Sequence, residues 1–259
     1  MRRLENRVAL VTGASGGIGE ATAIRFAQEG AKIGVHYHQR EDSAKKVAQE
    51  IQKLRSEAFL VQGNLIHARE AERVVRSLLD RFGHIDILVN VVGGAKDSLI
   101  QEMSKETWDE IIDLNVKTAF HCVRAAVPSM MEKKYGRIIN ISSLVKNGMP
   151  WFVYARAGRT NYATANAALV GFTRSLALEL AEYNISVNCV VPGPIMMPRT
   201  EKAFLALENN PAVKIPPSKL IPLRRTGAPE DVAYASAVFA AEEAGYIAGE
   251  ELYVSGGLH

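Results

Sequence analysis

Cysteine is nearly absent from this chain: Cys122 and Cys189 are the only two, with no Cys-x-x-Cys and no nearby pair of histidines. That argues against a disulfide framework and against a structural zinc site, and leaves two buried thiols as the reading. The six histidines show no metal-ligand spacing, so no metal is expected. No apolar run reaches the roughly 18 residues that a membrane span needs. The start Met1-Arg2-Arg3-Leu4-Glu5-Asn6-Arg7 leads straight into a strand without a signal-peptide cleavage pattern. A reducing, cytoplasmic compartment is therefore expected. Charge is not concentrated either: the net +3 comes from scattered Lys and Arg, which gives no case for nucleic acid or a membrane surface. Neither an internal repeat nor a low-complexity linker divides the sequence.

What is present is an alternation. Short apolar runs at Val8–Thr12, Lys32–Tyr37, Ala58–Gln62, Ile85–Asn90, Arg137–Ser142, Ile185–Val191 and Glu250–Val254 read as strands. Between them, Ile18–Glu29, Glu41–Arg55, Ala68–Phe82, Trp108–Glu132, Asn161–Ala181 and Pro229–Ala241 read as helices. Strands without polar alternation, separated by helices, predict a parallel sheet buried on both faces. Right-handed crossovers then make it a doubly wound, Rossmann-type α/β fold. The 259 residues, 47% of them hydrophobic, suit one such domain over 1–259. Two segments, 144–160 and 192–222, lack clear periodicity and carry Gly, Pro and aromatic residues. Both follow strands at their carboxyl ends, where an open α/β sheet binds ligands, so they are expected to wall the substrate site.

The first strand runs into Thr12-Gly13-Ala14-Ser15-Gly16-Gly17-Ile18-Gly19 and then a helix. Glycine permits the sharp turn and lets backbone amides approach a pyrophosphate, and the helix start adds partial positive charge. In this strand–turn–helix context the turn predicts dinucleotide binding.

Thr-Gly-x-x-x-Gly-x-Gly, with glycines at 13, 17 and 19, resembles the classical short-chain dehydrogenase/reductase family. Four further blocks resemble it too: Asn90-Val91-Val92-Gly93 after the fourth strand, Asn115 in a helix, Ile138 to Ser143 ending a strand, and Pro192-Gly193 followed by Arg225 to Val232. The resemblance implies hydride transfer between a nicotinamide and a carbonyl or alcohol, and a dimer or tetramer often built through the tyrosine helix and the C-terminal strand. It assigns Ser143 to hold the substrate oxygen, Tyr162 to move the proton and Asn115 to support the relay. For the cofactor it points to Gly13, Ser15, Gly17, Ile18, Gly19, Asn64, Leu65, Asn90, Val91, Gly93, Asn166, Pro192, Gly193 and Ile195. The second strand ends at Tyr37 with no carboxylate, and His38 and Arg40 follow, which favours NADP(H) over NAD(H). Gly16, where NADP-preferring relatives often carry arginine, points the other way. A small-molecule substrate with a partly apolar body is expected from Ile195, Met196, Met197, Trp151 and Phe152. Met197 stands where the family often has threonine.

One position breaks the pattern. Four residues after Tyr162, where the family has lysine, stands Asn166. The two positions share a helix face. A cation about 5 Å from the phenol is worth roughly 3 kcal/mol at an effective dielectric of about 20. That would move its pKa by about two from a starting value near 10. An asparagine hydrogen bond supplies about 1 kcal/mol and no field. Three readings are open: another cation (Lys146, Arg156 or Arg159) compensates; the enzyme reduces carbonyls, for which a protonated tyrosine is already the acid; or the chain is a cofactor-binding or partner subunit without redox activity. A lyase or isomerase without net redox is a further possibility. Ser143 and Tyr162 stand 19 positions apart, several more than the family usually shows. Tyr154 lies inside that interval, but Gly158 follows it at the lysine spacing, so it is expected to be structural.

Overall fold

The computed structural model describes residues 2–148, 158–210 and 216–258. Seven strands form one parallel sheet: β1 (Val8–Val11), β2 (Lys32–Tyr37), β3 (Ala58–Gln62), β4 (Ile87–Asn90), β5 (Gly136–Ile141), β6 (Ile185–Pro192) and β7 (Glu251–Val254), in the order β3-β2-β1-β4-β5-β6-β7. The chain leaves β1 in one direction along the sheet and returns to its other side at β4, so a crevice opens at the carboxyl ends of these strands. Every residue of β1, β4 and β6 is buried, as runs without polar alternation require.

Helices cover both faces. On one lie α1 (Gly17–Gln28), α2 (Glu41–Lys53) and α9 (Pro229–Ala240), packing Phe26, Val47, Ile51, Val232 and Phe239 against Val11, Val35 and Val190. The other holds α3 (Ala68–Phe82), α5 (Thr118–Lys133) and α6 (Thr160–Leu180), with Val74, Leu78, Val123, Met130 and Leu180 against Leu88, Ile138 and Val187. In α3 the buried residues are Ala71, Val74, Val75 and Leu78, the spacing of one helix face. Each fully buried side chain of Leu or Val size adds about 1.5–3 kcal/mol over its exposed state. The helix ends where Gly83 turns left-handed at φ 80°.

The long helical region expected over Trp108–Glu132 is present as α4 (Lys105–Ile112), a π-helical turn at Asp113–Lys117, and then α5. It starts earlier because Ser104 caps it, accepting a hydrogen bond from the Thr107 amide at 3.1 Å. The segment 192–222 is not wholly irregular: α7 (Pro198–Glu208) and α8 (Pro217–Leu220) lie within it. Both begin on a proline, whose missing N–H costs nothing in the first turn of a helix. In 144–160, Leu144–Asn147 form a 3₁₀ turn capped by Ser143, and Thr160 begins α6. Among the described residues, no helix is long and apolar enough to cross a membrane, and no cluster of metal-ligating side chains occurs.

A close backbone approach joins the start of α1 to the turn after β1. A Cβ on Gly19 would collide with the carbonyl oxygen of Gly13, a backbone atom that cannot swing away. Overpacking of this kind costs about 1–3 kcal/mol. Gly19→Ala is expected to lower the free energy of urea unfolding by about 2 kcal/mol or more; an unchanged midpoint would show that α1 can slide off β1.

Candidate active site

A cleft of about 850 Å³ runs along the carboxyl ends of the central strands. At its floor Gly13 and Gly17 take positive φ, 65° and 57°, which bends the chain between β1 and α1. No side chain caps α1, whose amides open onto this turn. Thr12 ties the turn to the next loop, its hydroxyl accepting from the amides of Val91 at 2.8 Å and Val92 at 3.3 Å. Met197 closes the turn from above: its Sδ lies 2.9 Å from where a Cβ on Gly17 would stand. An uncapped helix start, a turn bent by glycines at positive φ and a long open cleft fit a dinucleotide's pyrophosphate.

Of the residues expected here, Gly13, Ser15, Gly17, Ile18, His38, Arg40, Asn64, Leu65, Val91, Gly93, Pro192, Gly193 and Ile195 line the cleft, together with Asn115, Ser143, Tyr162 and Asn166. Three expected residues do not line it. Gly19 acts through the close approach described above. Tyr37 turns its ring toward the core on the α1 and α2 face. Asn90 is buried and donates from Nδ2 to Asn140 Oδ1 at 2.9 Å. Side chains alternate along β2, so His36 and His38 reach the cleft and Tyr37 points the other way.

His36 was not anticipated. It is 2% exposed; its Nδ1 accepts from the Gly13 amide at 3.0 Å and its Nε2 lies 3.0 Å from the Gly63 carbonyl. The first contact leaves Nδ1 without a proton, so the neutral ring donates from Nε2 and struts the two glycine segments apart. Burial pushes this imidazole down to about 4, against a weaker opposing effect of the Gly63 carbonyl. A polar ring in an otherwise apolar run was the one available sign. Thr200 and Phe204 on α7 also line the cleft, hidden in sequence by the proline-rich setting.

At the other end, Ser143 ends the β5 segment and its hydroxyl accepts from the Val145 amide at a long 3.4 Å. Tyr162 stands in the first turn of α6, half-buried. Asn166, 2% exposed, donates its amide to the Tyr162 carbonyl at 2.8 Å. One of its two N–H groups is thus directed at the helix backbone. Asn115 lies in the π turn, where its side chain donates to the carbonyls of Gly94 at 2.9 Å and Ile111 at 2.8 Å and accepts from the Gly94 amide at 3.2 Å. It clamps the loop after β4, and a Cβ on Gly93 would come 2.6 Å from its Oδ1.

The three candidate cations separate clearly. Lys146 is 10% exposed and pairs with Glu251 at 2.8 Å; burial acts to lower its pKa, but Glu251 and Tyr253 together outweigh this and hold it above the ordinary value. It is not among the residues lining the cleft. Arg156, with Trp151, Phe152 and Tyr154, lies outside the described residues. Arg159 does line the cleft beside Tyr162, paired with Asp97 at 2.8 Å. At the opposite end, a Cβ on Gly16 would meet Arg40 Nη1 at 3.9 Å, so the guanidinium lies where an arginine at position 16 would reach.

Comparison with known proteins agrees with this geometry. The family profile described as "Enoyl-(Acyl carrier protein) reductase" matches residues 13–259. A "3-oxoacyl-[acyl-carrier-protein] reductase" from Synechocystis sp. is 40% identical over 259 residues, covering 100% of this chain and 99% of its own. The "3-oxoacyl-[acyl-carrier-protein] reductase FabG" of Staphylococcus epidermidis is 36% identical over 98% of this chain and 99% of its own. A solved short-chain dehydrogenase/reductase variant from Serratia marcescens superposes with a TM-score of 0.88 at 30% identity, covering 99% of both chains.

The His36 strut makes stability depend on pH in a defined window. Below pH 6.5 an unfolded histidine takes up a proton that the buried ring refuses until about pH 4, so stability falls across that interval. The size of the loss is about 3 kcal/mol. Urea unfolding between pH 7 and 4 is expected to show a steeper decline for the wild type than for His36→Asn, which keeps an acceptor for the Gly13 amide and cannot titrate. Parallel curves would contradict the assignment.

Proposed function

This chain is an oxidoreductase of the short-chain dehydrogenase/reductase family, and on that premise we propose that it reduces a carbonyl on a small or medium-sized, partly apolar substrate with NADPH. The observation that carries this reading is that Ser143 and Tyr162 line the same cleft as the Gly13–Gly17 turn, while the amide of Asn166 is turned back on the helix. The relatives named above are 3-oxoacyl reductases, which makes 3-oxoacyl compounds the first substrates to try.

The residues along the cleft fit the cofactor in parts. The uncapped start of α1 would take the pyrophosphate, Asn64 and Leu65 the adenine side, and Pro192, Gly193 and Ile195 the nicotinamide side. Arg40 and His38 would meet a 2′-phosphate. Among the described residues Arg40 pairs with no carboxylate, so its charge is available to an anion. When bound, the reduced nicotinamide supplies a hydride to the carbonyl carbon. The chain's own part is to hold the substrate and deliver the proton. The Ser143 hydroxyl donates a hydrogen bond to the carbonyl oxygen, and Tyr162 gives that oxygen its proton, which solvent then restores. Net, one carbonyl, one reduced cofactor and one proton become an alcohol and the oxidised cofactor.

The missing charge at position 166 bears on the proton transfer. Carbonyl reduction asks the Tyr162 phenol to give up its proton. Alcohol oxidation needs the phenolate, which a lysine at position 166 would stabilise and an asparagine does not. Asn166→Lys is therefore expected to extend alcohol oxidation to lower pH, so that kcat/KM at pH 7 relative to pH 10 rises by about tenfold or more. An unmoved pH profile would contradict the acid role; no turnover in either protein, with NADPH still bound, would favour a partner subunit.

Cofactor choice is tested separately by fluorescence titration. A charge-assisted hydrogen bond is worth about 1.5–3 kcal/mol, or about 10- to 100-fold in affinity. Arg40→Ala is expected to weaken NADPH binding by that factor and to leave NADH nearly unchanged. Equal loss for both, or tighter NADH binding by the wild type, would overturn the assignment.

A further inference from the structure

The nucleotide end of the cleft holds a negative charge that the fit of a cofactor does not explain. Glu20 is the acidic residue in the first turn of α1. Its amide donates to the Gly16 carbonyl at 3.4 Å, which sets it one turn beyond the glycine bend. The side chain is half-buried and lines the same cleft as Gly13, Gly16 and Gly17. No side chain caps this helix, so Glu20 is the anion that the positive end of α1 favours while the cleft is open.

Little around Glu20 neutralises it. Among the described residues neither a cation nor a hydrogen-bond donor acts on its carboxylate, while burial and the Glu230 carboxylate on α9 both hold its pKa above the ordinary value. The other charges on the surrounding elements are engaged or turned elsewhere. Asp231 on α9 accepts from Arg225 and from the Ala228 amide, each at 2.9 Å. On α1 itself Arg25 pairs with Glu29 at 2.7 Å. Glu41 on α2 pairs with Lys45 at 2.8 Å, beside Asp42. Glu201 and Lys202 on α7 are exposed, and His38 and Arg40 line the cleft at the end of β2.

We propose that Glu20 is an affinity-determining residue that takes up a proton when a dinucleotide binds, so that this protein holds its cofactor more tightly as the pH falls. Resting on the reading of this cleft as a dinucleotide site, the proposal adds how that site responds to pH. A pyrophosphate at the start of α1 would bring a second anion to one helix end, and like charges there repel. The pyrophosphate keeps its charge near neutrality, whereas a carboxylate can lose its own by accepting a proton from solvent. Binding then raises the pKa of Glu20 further. Affinity is lowest above the pKa of the bound protein, rises as pH falls toward that of the free protein, and levels below it.

Calorimetry with NAD⁺ and NADP⁺, both stable in acid, tests this between pH 5 and 8. NAD⁺ is the cleaner probe, because it lacks the 2′-phosphate, a monoester that itself titrates at about pH 6. At pH 8 Glu20→Gln is expected to bind both nucleotides about fivefold or more tightly than the wild type, and toward pH 5 the difference narrows. At pH 6 the wild-type heat of NAD⁺ binding is expected to vary with the ionisation enthalpy of the buffer, reporting a proton taken up, and that of the variant to stay constant. Thermal melts confirm that the variant folds, and the buffer dependence is read on the wild type alone. Equal affinities at pH 8, or wild-type heats that ignore the buffer, overturn the proposal. So does a variant that binds more weakly at every pH, the result of a carboxylate that grips the nucleotide. Failure of the underlying reading would look different: neither nucleotide would bind either protein at any pH, and the proposal would fall with it.

Discussion

The site depends on the approach of one helix start to one strand end. Gly19 must lie against the Gly13 carbonyl for α1 to sit over β1, and only that approach leaves the uncapped amides of α1 facing the crevice. The surroundings then have to hold the turn without filling it. His36 braces it from β2, Thr12 ties it to the loop after β4, and Met197 seats on Gly17 from the segment after β6. Segments at the ends of three other strands thus converge on the glycine turn.

Charge along the cleft is sparse and divided between its ends. Arg40 lies beside Gly16, Arg159 lines the cleft with Tyr162, and the position that the family gives to lysine holds a neutral amide with one N–H bonded to its own helix. Among the described residues no lysine lines the cleft beside the Tyr162 phenol. On the proposed reading the phenol acts as an acid, which is what carbonyl reduction asks of it.

Much of this was legible in the sequence. The buried strands were readable because both faces of the sheet are covered, so no polar alternation interrupts them. The glycine turn was readable because its spacing is local, whereas Ser143 and Tyr162, expected from the family resemblance, line the same cleft. What was hidden depends on partners distant in sequence. Asn115 clamps Gly94 from a π turn that no periodicity announces, and His36 looked like one more strand residue until Gly13 and Gly63 closed on either side of it. Tyr37 was misplaced by counting to the strand's end without following its two-residue alternation. The prolines at 198 and 217 looked like loop signals when they open helices. The cation question could not be decided from spacing at all, since Lys146 and Arg159 are equally basic in sequence and differ only in which carboxylate holds them and whether they line the cleft.

The account is tested most directly by following the transferred hydrogen. NADPH carrying deuterium at both positions of nicotinamide C4 would be incubated with the protein and a 3-oxo ester or acid, and the alcohol product analysed by mass spectrometry and NMR. The account predicts one deuterium at the new carbinol carbon, and none when Tyr162→Phe removes the proton donor and turnover stops. A bound cofactor that keeps its deuterium with every carbonyl offered would contradict it.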